Sequence, residues 1–187
     1  MRKLIYAINM SIDGRCSHDK GLLPDDEILD YYANLVRSVD VFLYGRTTYQ
    51  LMVPYWPNIA RNPEGETKAD VNYAQAFESV GKTVVFSKSL AGAEDKRTAI
   101  VRGNLKEEVL KLKDQPGRDI LTGGVGIPSQ LMALGLIDEY RVVVQPIIVG
   151  EGRQLFDGGK PPQRLQLQLV DSRTFRSGWI LLRYLKR

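Results

Sequence analysis

Three short stretches of this 187-residue chain place glycine, hydroxyl or cationic residues directly after an apolar, strand-like run. They are Gly45-Arg46-Thr47-Thr48, Ser87-Lys88 and Gly123-Gly124-Val125-Gly126-Ile127. The third, the break in Ile120-Leu121-Thr122-Gly123-Gly124-Val125-Gly126-Ile127-Pro128-Ser129, leads into the start of an amphipathic helix. A helix that begins on small residues offers unpaired N–H groups and the positive end of its dipole, which suits a phosphate or pyrophosphate. Thr47 and Thr48 add hydroxyls able to cap a helix or bind phosphate oxygens, beside the permanently charged Arg46. The chemistry these residue types share is the holding of a phosphorylated ligand. The glycine spacing is neither G-x-G-x-x-G nor the Walker pattern, and no Lys-Ser/Thr follows it.

Other chemistries find little support. One cysteine, Cys16, excludes an intramolecular disulfide, and one histidine, His18, argues against a Cys/His zinc site, so no metal is expected. A Ser-His-Asp or Cys-His nucleophile system also lacks its parts, and Cys16 and His18 read as loop residues. A net charge of +4 could reflect nucleic-acid binding, but no Lys/Arg run of five occurs, and an anionic small ligand fits the excess equally well. The N-terminal apolar run meets Asn9 and Asp13 too early for a signal sequence or membrane span, so a cytoplasmic protein with no membrane partner is expected.

The elements that must position the three stretches follow from periodicity. Lys3 to Met10 reads as a buried central strand ending in the turn Ser11-Ile12-Asp13-Gly14. Leu22-Leu23-Pro24 leads to a helix from Asp25 to Ser38, with Pro at the first helical position and acids in the first turn. Strand Val39 to Tyr44 follows. Pro54, Pro57, Pro63 and Gly65 make Pro54 to Asn72 irregular, a lid or binding loop that carries Tyr55 and Trp56, which either cover a planar substrate or anchor the loop to the core. A helix at Val71 to Val80, strands Lys82 to Phe86 and Ala99 to Val101, and a helix from Asn104 to Lys113 come next. Strand Asp119 to Thr122 then feeds a helix at Pro128 to Leu134, ended by Gly135. Glu139 to Ile148, the segment around Leu165 to Val170, and Trp179 to Tyr184 are strands without helices between them, with Gly150-Glu151-Gly152, Gly158-Gly159 and Ser177-Gly178 as turns. The pattern predicts one domain over residues 1–187: a three-layer α/β/α sandwich with a mixed, largely parallel central sheet and antiparallel C-terminal strands.

In such a sheet, ligands bind beyond the carboxyl ends of the strands, where the three stretches all fall. Two helix N-termini for a pyrophosphate, with Arg46, Ser87 and Lys88 for a further phosphate, describe a dinucleotide site of the NADPH kind. A charged hydrogen bond contributes about 1.5–3 kcal/mol, roughly ten- to a hundredfold in affinity, enough to prefer NADPH over NADH.

The chain resembles the dihydrofolate-reductase-like superfamily, and within it the C-terminal reductase domain of the bifunctional riboflavin-biosynthesis deaminase-reductase. The resemblance rests on Ser11-Ile12-Asp13-Gly14, Gly45-Arg46-Thr47-Thr48-Tyr49, Ser87-Lys88-Ser89-Leu90, Gly123-Gly124, Leu136-Ile137-Asp138-Glu139 and Pro146-Ile147-Ile148-Val149-Gly150-Glu151-Gly152 with Phe156, in family order. It implies that Gly45, Arg46, Thr47 and Thr48 bind NADPH phosphates, that Ser87 and Lys88 approach the adenosine 2′-phosphate, and that Gly123, Gly124, Val125, Gly126 and Ile127 hold the pyrophosphate. It further implies that the backbone at Ala7 and Ile8 receives the nicotinamide carboxamide and that the protein is a homodimer. Leu23-Pro24-Asp25-Asp26 resembles the Leu-Pro-x-acidic pattern of dihydrofolate reductases and puts Asp26 in the role of acid, although the helix dipole favours acids there whatever their function. Asp13, Tyr55 and Trp56 are the candidate substrate contacts. The activity implied is hydride transfer from NADPH to a small heterocyclic or imine/carbonyl substrate, pterin- or pyrimidine-like. The alternatives are an NADPH-binding module without turnover and, more distantly, a nucleic-acid-binding role.

Overall fold

The computed structural model describes residues 1–16, 24–93, 95–156 and 164–187. His18, Leu22, Leu23 and the turn Gly158-Gly159 lie outside the described residues. Strand β1 (Leu4–Ser11) is followed by helix α1 (Asp26–Arg37), β2 (Val39–Gly45), α2 (Arg46–Arg61), α3 (Lys68–Glu78), β3 (Lys82–Phe86) and β4 (Thr98–Val101). Then come α4 (Leu105–Asp114), β5 (Asp119–Thr122), α5 (Gly126–Ala133), β6 (Glu139–Gln145), β7 (Leu167–Thr174) and β8 (Ile180–Lys186). The strands form one eight-stranded sheet in the order β4-β3-β2-β5-β1-β6-β8-β7. β1 to β6 run parallel, whereas β8 is antiparallel to both β6 and β7. Parallel neighbours need crossovers, which the helices supply except between β3 and β4, which no helix among the described residues joins; the β7–β8 pair needs only the turn closed by Gly178 N–H donating to the Phe175 carbonyl at 3.0 Å.

Helices cover both faces. Leu29, Ala33 and Val36 of α1, Tyr49 and Val53 of α2, and Tyr73 and Phe77 of α3 pack on one face with Ile5, Phe42, Tyr44 and Val85. Val109 and Leu112 of α4 and Leu131 and Met132 of α5 pack on the other with Leu4, Tyr6, Leu43 and Val84. Successive strand residues point to opposite faces. With both faces covered, β1 and β2 are therefore apolar almost without interruption, and the expected three-layer sandwich is what forms.

The largest departure from expectation lies between Pro54 and Asn72. The chain there is not a lid: α2 runs unbroken to Arg61 with Pro54 and Pro57 inside it, and α3 begins at Lys68. Each proline deletes one i→i−4 bond, at a cost of about 3 kcal/mol in an ordinary helix. Here Tyr49, Val53 and Ile59 bury one face of α2, and the Trp56 ring meets Tyr73 of α3 edge-on at 4.4 Å. Tertiary burial thus overrides the local preference. The start of α3 is set by Thr67, whose hydroxyl accepts from Asp70 N–H while the Asp70 carboxylate reaches back to Thr67 N–H, a capping box. At α1 the N-cap is Asp25, which accepts from Ile28 N–H at 2.9 Å, so Pro24 precedes the helix rather than opening it.

Candidate functional site

β2 and β5 are neighbours in the sheet, but the helices that follow them leave toward opposite faces: α2 to one side, α5 to the other. Between such divergent crossovers the carboxyl edge of a parallel sheet opens into a crevice. The last rung beneath it is locked by Thr122, whose buried hydroxyl donates to the Leu43 carbonyl at 2.7 Å. Above that rung the two junctions press together. A Cβ on Gly45 would lie 2.9 Å from Ile127 Cγ1, and a Cβ on Gly124 would overlap the Thr48 hydroxyl. Gly124 also has φ +78°, where any side chain is strained. Tyr6 of β1 completes the clamp by donating its hydroxyl to the Gly124 carbonyl at 2.9 Å.

Helix capping separates these two junctions from the others. Among the described residues, α1, α3 and α4 have side-chain caps from Asp25, Thr67 and Asn104, whereas α2 and α5 have none. Three orphan sets of N–H groups are therefore served by the protein itself. The two left open are the two that meet at the crevice, where an anion is the natural partner.

The crevice widens into a cavity of about 680 Å³ bounded by Gly45, Arg46, Thr47, Thr48 and Leu51 on one side and Gly124 to Ile127 with Gln130 on the other. Phe86, Cys16 and Arg153 close its ends. The Arg46 guanidinium donates to Gln50 Oε1 at 3.1 Å and to the Ser89 hydroxyl at 3.0 Å, which fixes it over the junction with the loop after β3. Lys88 is exposed beside it. Ser87 plays a different part from the one expected: its hydroxyl accepts from Ser89 and Leu90 N–H and holds the turn. Burial pushes the Cys16 thiol up to about 11, so it stays protonated at neutral pH.

Ala7 stands where β1 loses its neighbour. The β1–β5 ladder ends at Tyr6 opposite Thr122, and the Ala7 carbonyl then faces Gly123, 3.5 Å from where a Cβ would sit. Lys3 O accepts from Ile120 N–H of β5, and Leu4 O accepts from Asp138 N–H just before β6. Main-chain groups alternate sides along a strand, so Ala7 points to the cleft and Ile8 to β6.

Four expected residues have other surroundings. Asp13 Oδ1 accepts from the Ser11 hydroxyl at 2.6 Å and Val149 N–H at 3.1 Å, and its Oδ2 from Gly150 N–H at 2.8 Å. The Ser11 bond first, then the two backbone bonds, hold its carboxyl well below the usual carboxylate range. Asp13 ties the loop after β1 to the loop after β6, and through them positions Cys16 and Arg153, where Cys16 N–H donates to the Arg153 carbonyl at 2.8 Å. Asp26 is exposed, accepts from the Thr67 hydroxyl at 3.2 Å, and is not among the residues that line the cavity. The three acids of that turn are each bonded to the fold: Asp25 caps α1, Asp26 meets Thr67, and Glu27 accepts from Arg173 and from Arg176 N–H. Tyr55 and Trp56 ride on α2, Tyr55 being 53% exposed and Trp56 anchored on Tyr73. Leu51, Gln130 and Arg153 were not anticipated. Leu51 and Gln130 lie four residues after Thr47 and Gly126, one helical turn into the cleft, so extending the 3.6-residue period from each junction finds them.

The model of the RibD C-terminal domain family matches residues 2–181. The protein YyaP of Bacillus subtilis (strain 168) is 32% identical over 187 residues, covering 98% of this chain and 94% of its own. A Shewanella sp. PV-4 structure assigned to riboflavin biosynthesis superposes with a TM-score of 0.73 at 19% identity over 99% of each chain. The diaminohydroxyphosphoribosylaminopyrimidine deaminase/5-amino-6-(5-phosphoribosylamino)uracil reductase of Thermotoga maritima gives 0.68 at 15% identity, with this chain spanning 57% of its length.

Proposed function

The chain belongs to the RibD C-terminal domain family, and on that footing we propose that it is a reductase that takes hydride from NADPH and passes it to a small heterocyclic or imine/carbonyl substrate. The observation that carries the reading is the meeting of two uncapped helix N-termini, α2 and α5, at one crevice. The residues fit the cofactor in kind. Gly124 to Ile127, with Gly123 before them, and Thr47-Thr48 would offer N–H and hydroxyl donors to a pyrophosphate, and Gly124 leaves the backbone without a side chain at the crevice. Arg46, held by Ser89, and the exposed Lys88 supply positive charge for a ribose 2′-phosphate. The Ala7 main chain, freed where β5 ends, suits a carboxamide. Bound there, the cofactor supplies the hydride, and the chain's part is to hold it against the substrate and keep water out. A homodimer belongs to the same proposal: β7 is an edge strand with Leu169 and Val170 51% and 40% exposed, a surface that a second copy would cover.

The test is a fluorescence titration with NADPH and NADH. Wild type should prefer NADPH, and Arg46→Ala or Lys88→Ala should weaken NADPH by roughly ten- to a hundredfold while leaving NADH nearly unchanged. Equal losses for both cofactors would remove the 2′-phosphate assignment for that residue, and wild type without NADPH affinity would remove the cofactor.

A further inference from the structure

Beyond the end of β5, strand β1 runs on through Asn9 and Ser11 with β6 on one side only. Asn9 lies about 10 Å past the last β5 rung and about 7 Å past Ala7, beside the place the nicotinamide takes in the reading above. Its side chain faces α1, because Tyr32 of that helix donates its hydroxyl to Asn9 Oδ1 at 2.6 Å. Burial pushes the Tyr32 pKa well above its ordinary value and keeps it a donor. The carbonyl end of Asn9 is thus fixed against the helix, and its two amide N–H groups point away. No acceptor among the described residues takes them.

Gln145, the last residue of β6, pairs with Ser11 and shares the face of Val143, which packs with Ile28 of α1. Gln145 Oε1 is buried without a donor. Asn9 and Gln145 are diagonal neighbours on that face, about 8 Å apart along the sheet, yet no hydrogen bond joins them. The buried acceptor is costly to leave without a donor, and with an open amide donor beside it the pair marks a place where a ligand completes the bonds.

We propose that Asn9 and Gln145, with Tyr32 as positioning residue, read the edge of the substrate ring, and that the edge carries a carbonyl oxygen beside an N–H. The Asn9 amide donates to the carbonyl and the Gln145 oxygen accepts from the N–H, which is a lactam-type edge on a planar heterocycle. The inference rests on the reductase reading for the place of the ring, but not for the bonds.

Two probes separate the possibilities: 5,6-diaminouracil, whose ring N–H groups are free, and 5,6-diamino-1,3-dimethyluracil, in which both are methylated. Calorimetric titration of the NADP⁺-loaded protein should show the first binding at least about tenfold more tightly than the second. Gln145→Leu should remove about that preference, whereas Asn9→Ser, which loses the bond to a carbonyl that both probes carry, should weaken both by about tenfold and keep the preference, each variant leaving NADP⁺ affinity within about twofold. Gln145→Leu should also unfold at the same temperature as wild type or higher, since it deletes an unsatisfied buried oxygen; that readout excludes a misfolded variant. Equal binding of the two probes, no binding of either, a Gln145→Leu variant that keeps the preference, or an Asn9→Ser variant that binds both probes as wild type does overturns the inference. If wild type binds no NADP⁺, the cofactor reading fails on its own account, and the same probe titrations on the free protein still decide this one.

Discussion

Replacing Gly124 by alanine tests the contact on which the cleft is built. The new Cβ meets two costs. At φ +78° an L-residue is strained by about 1–2 kcal/mol, and overlap with the Thr48 hydroxyl adds an overpacking term of about 1–3 kcal/mol. The single variant should therefore lose about 2–5 kcal/mol, which at a urea slope near 2 kcal/mol/M lowers the midpoint by roughly 1–2.5 M. Only the second cost involves Thr48. With Thr48→Ala in place the nearest Thr48 atom to the new Cβ is the residue's own Cβ at 3.5 Å, an ordinary contact. The double variant should recover about 1–3 kcal/mol of the loss and keep the backbone strain. Urea melts of the four proteins, read by Trp fluorescence with the slope fitted separately, give the coupling energy. A coupling below about 0.5 kcal/mol, the level at which independent sites add, would falsify the close approach of the β2–α2 and β5–α5 junctions.

Two further outcomes follow from the neighbouring loops. Asp13 has a depressed carboxyl pKa, so its contribution to stability is complete above the unfolded value of about 3.9 and is lost as pH falls through the folded value. The gap in unfolding temperature between wild type and Asp13→Asn should accordingly be widest near pH 6 and shrink below about pH 4, and a gap that holds constant to pH 2.5 would discard the two-loop tie. Asp26→Asn should leave NADPH affinity and turnover within about twofold, because the carboxylate meets Thr67 and solvent; a drop in turnover of about tenfold or more would return it to the role of acid.

Much of this protein is written locally. Apolar runs such as Leu4 to Ile8 and Val39 to Tyr44 are strands because sheet residues covered on both faces must be apolar throughout. Gly45, Thr47, Thr48, Gly123 and Gly124 are legible as candidate anion-binding junctions because a helix start without a bulky residue leaves its N–H groups open. Those rules act over a few residues, and the sequence by itself determines what they reach: the element types, the fold class, and the residue types at the mouth of the crevice. They do not reach the pairing of β2 with β5, which brings residues some 80 positions apart into contact and makes two ordinary turns one cleft. Nor do they distribute bonds among like residues. Local rules put Ser87 at a phosphate and Asp26 in the role of acid, whereas in the fold the Ser87 hydroxyl holds the turn to Leu90, Ser89 meets Arg46 and Asp26 accepts from Thr67. The helix through Pro54 and Pro57 has the same cause. Local propensity set a cost there, and burial of Tyr49, Val53 and Ile59 against elements far away in the chain outweighed it. Tertiary structure alone decided which of the capable groups remain open to a ligand, because a hydrogen-bonding group is available only when no other part of the fold has reached it first.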